Sequence, residues 1–346
     1  MTAVLEALVN ASERAAAVAR ACCGDAENEG ALVVSEKSAG EANARFDRDF
    51  KTIADVLAQE SARAEIAAHC PSLAQFVRGE ECAEIGGVQI GLHPTIEETA
   101  LSLGALVPIE AARNLAEAAH CRPLVMLPET VELPELDPAE LGVWIDPIDA
   151  TSEFILGARG EADEGHGLSC VTVLVGAYLR STGEPVIGVV NQPFYNEGTG
   201  RILWGVSYGE TKLTGGFGVE ISSVTSQSLL ISSAESSDLK DKFVDAGWDV
   251  TSVPGAGHKL LKVALGESKA YIVSKGTTFR WDTCAPHAIL RAKGGNILSL
   301  DSREPLAYND EQHGNTQLYS NAGGILAYSD ESVLCQMSLA TCPVCF

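Results

Sequence analysis

Two aspartates stand three residues apart where an apolar run ends, in LGVWIDPIDATSEFILG, residues 141–157. Asp146 and Asp149 flank Pro147, which restricts the turn so that the two carboxylates can converge. Asp149 also stands where the N-cap of a following helix would be, a role worth about 1 kcal/mol. That alternative leaves Asp146 unexplained, and two carboxylates held so close need a cation between them. The stretch therefore predicts a metal site.

Two further stretches carry acidic residues of the same kind. Glu80 and Glu81 follow a short apolar run, and an ordinary charged surface turn is their alternative interpretation. Asp282 follows Trp281 ahead of a predicted helix, where N-capping is again the alternative. Carboxylates are the hard oxygen ligands that Mg²⁺ prefers, and the N-terminus of the helix after Asp149 offers N–H groups to a phosphate. Together the stretches predict metal-assisted phosphate hydrolysis.

The composition limits the other functions. The 346 residues are 46% apolar, enough for an ample core in one large domain or two. A formal net charge of −23 argues against nucleic acid or an anionic membrane as a partner, because their phosphates would be repelled. We therefore expect a small-molecule substrate. The composition does not indicate an oligomeric state.

The chain's start and its cysteines indicate a cytoplasmic protein. The N-terminus predicts an amphipathic helix rather than a signal peptide, and no apolar run approaches the roughly 18 residues of a membrane span. The 10 cysteines are scattered, so we expect them to be reduced. Cys342 and Cys345 have C-x-x-C spacing, but no second pair or nearby histidine completes a zinc site, so metal or redox chemistry there is the minor alternative.

Apolar periodicity predicts the elements that position the acidic residues. It predicts a helix at the N-terminus, one over residues 53–66 and one over 95–122, with strand-like sequence over 76–92. Between residues 168 and 213, β-branched runs separated by turn signals predict an antiparallel meander.

From about residue 216 onward, strand and helix patterns alternate. We therefore expect an N-terminal α+β domain, residues 1–215, with an antiparallel sheet and most of the metal ligands. A C-terminal α/β domain, residues 216–346, would carry a substrate-binding segment and Asp282.

Three motifs carry a resemblance to a known family: GEE, WIDPIDAT and WDTCAPHAILRAKGG. They resemble the signature of the lithium-sensitive, magnesium-dependent phosphatases, the superfamily of inositol monophosphatase and fructose-1,6-bisphosphatase. Further stretches, DFKTIADVLAQE, GAGHKLLKV and TTFRWDTCAPHAILRA, are most similar to the branch that removes the 1-phosphate from inositol polyphosphates. The resemblance implies an α/β layered sandwich of alternating helix and sheet layers.

The same resemblance implies a lithium-inhibited phosphomonoesterase acting on substrates such as inositol 1,4-bisphosphate and inositol 1,3,4-trisphosphate. It implies two to three Mg²⁺ ions per site, or Mn²⁺ in their place. The implied metal ligands are Glu80, Glu81, Asp146, the Ile148 carbonyl, Asp149 and Asp282. The implied substrate-binding residues are Asp149, Ala150, Thr151, Ala234, Ser236, Gly255, Ala256 and Lys259.

Catalytic roles also follow from the resemblance alone. Asp55 and Thr151, together with Glu80, are implied to orient and deprotonate the attacking water, although the sequence around Asp55 by itself predicts only an exposed helical carboxylate. We expect Li⁺ to bind near Asp55, Glu80 and Asp149. Lys259 is expected to reach a second phosphate, with a solvated helix lysine as the alternative.

The chain departs from the family pattern at one place. Relatives carry Ser-Glu-Lys after a strand, whereas this chain has Ala234, Glu235 and Ser236, so an expected phosphate-binding lysine is missing. The candidates to replace it are Lys240, Lys275 and Arg280.

Two other functions are considered beside inositol polyphosphate hydrolysis. One is a 3'(2'),5'-bisphosphate nucleotidase acting on 3'-phosphoadenosine 5'-phosphate, which would need a pocket for the base. The other is a non-catalytic protein that binds metal or inositol phosphate. The intact set of Asp55, Glu80, Thr151 and Asp282 argues against that second alternative.

Overall fold

The structure, a computed structural model, describes residues 1–23, 30–38, 40–43, 48–128, 132–217, 226–310 and 316–341. Its helices α1 to α10 are Thr2–Cys22, Ile53–His69, Ile96–Leu103, Ile109–His120, Thr151–Ala158, Tyr195–Gly198, Ser237–Asp245, Ala256–Ala264, Arg280–Ala292 and Glu331–Thr341. Its strands β1 to β15 are Val34–Glu36, Phe50–Thr52, Val77–Gly79, Glu84–Ile85, Val88–Gln89, Leu141–Asp149, Thr172–Leu179, Pro185–Gln192, Arg201–Tyr208, Thr211–Gly215, Ser228–Ile231, Asp249–Thr251, Ala270–Val273, Asn296–Ser299 and Ile325–Tyr328.

The first large sheet has six strands in the order β10–β9–β8–β7–β6–β3. All neighbours in it are antiparallel except β3, which runs parallel to β6. The strands β7 to β10 form the predicted meander. β6 is buried along its whole length, which explains the apolar run that ends at Asp149, since a strand covered on both faces has no polar side.

The second large sheet has five strands in the order β12–β11–β13–β15–β14. The first three are parallel, and β15 runs antiparallel to β13 and to β14. The predicted domain boundary at residue 215 falls between the last strand of the first sheet and the first strand of the second. As a division into domains it stays a prediction, because helices from the C-terminal segment pack on both sheets.

Helices and sheets alternate in layers. α1 and α2 cover the outer face of the first sheet, and α8 and α9 fill the space between the sheets. In this middle layer Leu260 and Ile289 share one apolar cluster with Leu174 of the first sheet and Tyr271 of the second. α7 and α10 cover the outer face of the second sheet. The order helix, sheet, helix, sheet, helix confirms the expected layered α/β sandwich.

Two local expectations differ from the structure or lie outside it. The single helix predicted over residues 95–122 is two helices, α3 and α4, because the segment between them contains Gly104 and ends at Pro108, the N-cap of α4. The described cysteines are free thiols, and Cys342 and Cys345 lie outside the described residues. In the described part of the chain, every helix is too short or too polar to cross a membrane.

A row of three glycines seats α9 on the first sheet. Gly176, Gly188 and Gly205 lie opposite one another on β7, β8 and β9. A Cβ atom on Gly188 would overlap the carbonyl oxygen of Ala285, and one on Gly205 would lie 2.8 Å from the Cα atom of Ile289. The bare backbone therefore lets α9 lie directly on the strands.

We expect Gly188→Ala to lower the free energy of unfolding by about 1–3 kcal/mol, because a new methyl group would push α9 off the sheet. Gly91→Ala is the matched control, since a Cβ atom there meets no atom within 4 Å. Urea denaturation of both variants measures the effect. Equal stability of the two variants would contradict the close packing of α9.

Candidate active site

The end of β6 brings two aspartates to one place. In a regular strand, residues three apart face opposite sides of the sheet. The pairing of β6 with β7 shifts register between Asp146 and Asp149, and this irregularity breaks the alternation. Ala150 follows with a left-handed φ of 71°, uncommon for a residue other than glycine, and turns the chain into α5. Both aspartates are buried.

Asp149 caps a different helix from the one expected. The interpretation of Asp149 as N-cap of the next helix is wrong, because the N-cap of α5 is Ala150 and no side chain caps it. Asp149 instead accepts hydrogen bonds from the main-chain N–H groups of Ala256, at 3.2 Å, and Gly257, at 3.0 Å, at the start of α8. The Thr172 hydroxyl donates to it as well, at 3.1 Å. This carboxylate therefore connects the first sheet to the middle helical layer.

Asp282 completes a buried group of three aspartates. It is the third residue of α9 rather than the residue before the helix, and it accepts the main-chain N–H of Phe279 at 2.6 Å. One carboxylate oxygen from each of Asp146, Asp149 and Asp282 lies within 4.8 Å of the others. The glycine row brings α9 close enough to β7 and β8 for this approach.

Glu80 and Glu81 are fixed beside the same group. β3 pairs with β6 in parallel, and the main-chain N–H of Glu80 extends this pairing by donating to the Ile145 carbonyl at 3.1 Å. The Gln59 side chain donates to the Glu81 carbonyl at 2.6 Å and accepts its N–H at 2.9 Å. Gly79 leaves room for that amide, which a Cβ atom would overlap. Glu81 is 6% exposed, so a surface turn is the wrong interpretation for it.

Lys37, which the sequence reasoning missed, contacts both glutamates. Its Nζ atom lies 2.5 Å from Oε1 of Glu80 and 2.6 Å from Oε1 of Glu81. The lysine side chain is 3% exposed. The segment around it, VVSEKSAG, gives no sign of this role because the contact spans more than 40 residues.

Asp55 is buried and hydrogen-bonded to Thr151. It accepts the main-chain N–H of Thr52 at 2.6 Å and the Thr52 hydroxyl at 2.5 Å, both through Oδ2. The Thr151 hydroxyl donates to Oδ1 at 3.1 Å and also lies 3.2 Å from the Ile148 carbonyl oxygen. The interpretation of Asp55 as an exposed helical carboxylate is wrong, since it is 1% exposed.

Burial raises the pKa of five carboxyl groups at the site. The pKa of Asp55 and of Asp149 rises to about 6, and the pKa of Glu81 to about 8. Burial, followed by the neighbouring carboxylates, raises the pKa of Asp146 and of Asp282 well above its usual range. Among the described residues, the positive charge near these carboxylates is smaller than their combined negative charge. Such an excess of negative charge favours binding of a divalent cation.

One atom of Glu81 points to the same conclusion. Its Oε2 is buried and has no hydrogen-bond partner within the described residues. A buried, unpaired carboxylate oxygen is costly unless something binds it. The donor set, made of oxygens from carboxylates and a carbonyl, therefore fits Mg²⁺ or Mn²⁺.

These shifts predict how stability of the metal-free protein depends on pH. A carboxyl whose pKa is raised on folding favours the protonated native state, so its stabilisation is complete below pH 4 and is lost as pH rises through 6 to 8. We expect the Tm of chelator-treated protein to fall by about 3 °C or more between pH 5 and pH 8, and Mg²⁺ to raise Tm more at pH 8 than at pH 5. A Tm that rises over this range without metal would contradict the assigned burial.

A cavity of about 430 Å³ opens over the carboxylates. Its walls include these expected substrate-binding residues: Asp149, Ala150, Thr151, Ala234, Gly255, Ala256 and Lys259. Ser236 is not among the lining residues; it is the N-cap of α7 and accepts the N–H of Leu239 at 3.3 Å. A separate cavity of about 260 Å³, around His287 and Arg291, contains none of the clustered carboxylates.

Lys259 is buried rather than solvated. It is 7% exposed, and its Nζ donates to the Val253 carbonyl at 2.9 Å. The ammonium also lies 5.3 Å from the ring centre of Tyr271. The alternative of a solvated helix lysine is therefore wrong.

Two of the three candidate replacements for the missing lysine lie beside the loop after β11. Lys275 donates to the Ala234 carbonyl at 2.5 Å, and Lys240 donates to the Ser233 carbonyl at 3.1 Å. Ser233 and Ala234 line the cavity. Arg280 donates instead to the carbonyl of Asn309.

Proteins of similar sequence are phosphatases, in agreement with the chemistry expected of this site. The inositol monophosphatase family profile matches residues 2–334. The chain is 35% identical to the inositol polyphosphate 1-phosphatase of Mus musculus, with 96% of each protein covered. It is 30% identical to the 3'(2'),5'-bisphosphate nucleotidase 1 of Rattus norvegicus, over 64% of this chain and 68% of that protein.

Solved structures share the fold. The extragenic suppressor protein suhB from Bartonella henselae matches with a TM-score of 0.58 at 15% identity, over 99% of both chains. The arrangement of helical and sheet layers is therefore common to proteins that have diverged far in sequence. The family profile over residues 2–334 and the 35% identity to the mouse protein over nearly the whole sequence show that the chain belongs to the inositol monophosphatase family and is a phosphatase.

Proposed function

We propose that the protein is a Mg²⁺-dependent, lithium-inhibited phosphomonoesterase that removes the 1-phosphate from inositol polyphosphates. Inositol 1,4-bisphosphate and inositol 1,3,4-trisphosphate are the expected substrates. The observation that carries the proposal is the convergence of Asp146, Asp149 and Asp282 within 4.8 Å at the wall of one cavity. The near-complete match to the mouse inositol polyphosphate 1-phosphatase supports the substrate class.

The groups proposed to hold two to three divalent cations are Glu80, Glu81, Asp146, the Ile148 carbonyl, Asp149 and Asp282. All of these residues except Glu81, the sequence neighbour of Glu80, line this cavity. When bound, the cations neutralise phosphate charge and make water a stronger nucleophile near pH 7. Li⁺ is proposed to bind close to Asp55, Glu80 and Asp149, where a monovalent ion fits an anionic site without matching the field of a divalent ion.

Asp55 and Thr151 are proposed to activate the attacking water. The Thr151 hydroxyl donates its proton to Asp55, which leaves an oxygen lone pair on Thr151 free to accept a proton from water. As the water oxygen bonds to phosphorus, the bond from phosphorus to the inositol 1-oxygen breaks. The water proton passes to the Thr151 oxygen, the Thr151 proton passes to Asp55, and the inositol oxygen leaves and takes up a proton from solvent. With a pKa of about 6, Asp55 is charged and a competent base near pH 7.

The start of α5 is proposed to bind the phosphoryl oxygens of the scissile phosphate. The first N–H groups of a helix have no partner within it, and Ala150 and Thr151 line the cavity at this point. Ala150 has a left-handed φ of 71° and links Asp149, at the end of β6, directly to the start of α5. The phosphate would therefore lie between the helix N-terminus and the proposed ion sites.

Recognition of a second phosphate is proposed to rest on Lys259, with Lys240 and Lys275 beside the loop at Ser233 and Ala234. Lys259 lines the cavity, and its ammonium lies 5.3 Å from the centre of the Tyr271 ring. A buried ammonium gains from an anionic partner more than an exposed one does, because water screens it less.

Phosphate release from a small substrate panel tests the proposal. We expect inositol 1,4-bisphosphate to be hydrolysed at the 1-position with a kcat/KM about tenfold or more above that for adenosine 3',5'-bisphosphate. Release should require Mg²⁺, and Li⁺ inhibition should strengthen as substrate rises, because phosphate completes the site. Preference for the adenosine substrate would instead favour a 3'(2'),5'-bisphosphate nucleotidase function, the activity for which the rat relative is named.

Lys259→Met tests the second phosphate site in the same assay. We expect the KM for inositol 1,4-bisphosphate to rise about tenfold with Mg²⁺ dependence unchanged, since a charge-assisted contact is worth about 1.5–3 kcal/mol. Lys262→Met is the control, because Lys262 lies on the same helix but pairs with Glu267 at 2.8 Å. An unchanged KM in Lys259→Met would remove Lys259 from substrate recognition.

A further inference from the structure

Lys37 is anchored at its backbone and aimed at two acidic groups. It follows β1, and its main-chain N–H donates to the Asp49 carbonyl at 2.8 Å, which continues the pairing of β1 with β2. From this fixed base the side chain reaches 2.5 Å from Glu80 and 2.6 Å from Glu81. One ammonium therefore bridges two carboxylates that stand side by side in the sequence.

The bridge leaves part of the negative charge unpaired. Glu81 is 6% exposed, and its Oε2 has no hydrogen-bond partner within the described residues. A single positive charge shared by two carboxylates neutralises only one of them. The pair therefore keeps an attraction for a cation of higher charge, yet the lysine occupies the oxygens that such a cation would bind.

We propose that Lys37 is a built-in competitor for the divalent cation at Glu80 and Glu81, and that it is displaced when that cation binds. The proposal rests on the proposed metal-binding role of these two glutamates. A lysine suits this exchange because its ammonium is a point charge on a flexible four-carbon stem. Lys37 would keep the carboxylates paired in the metal-free protein and would weaken the affinity of the ion that displaces it.

Displacement also connects cation binding to phosphate. An ammonium displaced from its carboxylates at this buried position needs another anion, because a buried unpaired charge is costly. A phosphate in the adjoining cavity, which Glu80 lines, would supply that anion. Phosphate should therefore strengthen binding of the competing cation, and part of that coupling should depend on Lys37.

Mn²⁺ titration of the metal-stripped full chain, with and without inorganic phosphate, tests this proposal by electron paramagnetic resonance of free Mn²⁺. We expect Lys37→Met to bind its weakest Mn²⁺ about tenfold more tightly than wild type without phosphate, and to gain less affinity when phosphate is added. Lys37→Arg, which keeps the charge, should resemble wild type. These readouts do not depend on turnover.

Lys51→Met is the matched control. Lys51 is also a buried lysine in this region, but its Nζ pairs with Glu41 at 2.6 Å rather than with Glu80 or Glu81. Equal Mn²⁺ affinity in Lys37→Met and Lys51→Met would overturn the competitor role and leave the metal-binding role of the site standing. Weaker Mn²⁺ binding in Lys37→Met than in wild type would also overturn the competitor role. If wild-type protein bound no Mn²⁺, both the competitor role and the proposed metal-binding role would be wrong.

A measurement on wild-type protein avoids any effect of substitution on folding. Acetylation of Lys37 by an amine-reactive ester, followed by peptide mass spectrometry, reports whether the ammonium is held by the carboxylates. We expect saturating Mn²⁺ without phosphate to raise the Lys37 acetylation rate about fivefold or more, while the rate at Lys51 stays constant. An unchanged Lys37 rate would contradict displacement.

Discussion

Asp282→Asn is expected to lower kcat by about three orders of magnitude or more while the protein stays folded. The substitution removes one negative charge from the group in which Asp146, Asp149 and Asp282 lie within 4.8 Å of one another. It keeps an oxygen that can accept the N–H of Phe279, so the start of α9 retains its hydrogen bond. Steady-state phosphate release and circular dichroism together measure the two effects.

Asp238→Asn is the matched control for this prediction. Asp238 also lies in the first turn of a helix, α7, but it is exposed and is not one of the residues that line the cavity. We expect it to keep near-normal kcat. Near-normal turnover in Asp282→Asn as well would show that Asp282 serves only as a helix cap and would contradict its role in metal binding.

Thr151→Ala and Asp55→Asn are each expected to lower kcat by about two to four orders of magnitude, with KM changed by about threefold or less. Both remove the proton path that runs from water through the Thr151 hydroxyl to Asp55. Neither changes the three clustered aspartates, so Mn²⁺ affinity should stay close to that of wild type. Stopped-time phosphate release at saturating Mg²⁺ measures kcat and KM separately.

Thr151→Ser provides the conservative comparison, because serine keeps a hydroxyl at the same atom. We expect it to recover most of the activity lost in Thr151→Ala. If both variants changed KM and left kcat intact, the hydroxyl would bind substrate and the proposed activation of water would be wrong.

The part of the site that could be predicted from the sequence consists of residues that lie close together along the chain. Asp146 and Asp149 share one stretch, and their spacing around Pro147 was enough to predict a metal site there. The meander and the alternation of strand and helix after residue 216 followed from apolar periodicity. The order of the layers came from the family resemblance, because periodicity assigns elements and not their stacking.

Contacts between distant segments were the unpredictable part. Asp149 caps α8, which begins 107 residues later, whereas local sequence suggested the adjacent helix. The contact of Lys37 with Glu80 likewise depends on how β1 and β3 are placed relative to each other.

The packing role of the three glycines could not be predicted from the sequence for a related reason. Gly176, Gly188 and Gly205 stand on three different strands, where each by itself indicates only a weakened strand. Their shared role in letting α9 lie on the sheet can be recognised only from the strand register, which places them opposite one another. The sequence carries no signal of register between strands that is strong enough to show this.

Anomalous diffraction from crystals grown with Mn²⁺ and inorganic phosphate is the most direct test of the central claim that the buried carboxylates bind the catalytic cations. We predict at least two anomalous peaks within about 2.0–2.3 Å of carboxylate oxygens from the set Glu80, Asp146, Asp149 and Asp282. Phosphate should lie between these peaks and the start of α5. Protein that hydrolyses inositol 1,4-bisphosphate with Mn²⁺ yet shows no anomalous peak at these carboxylates would contradict the account.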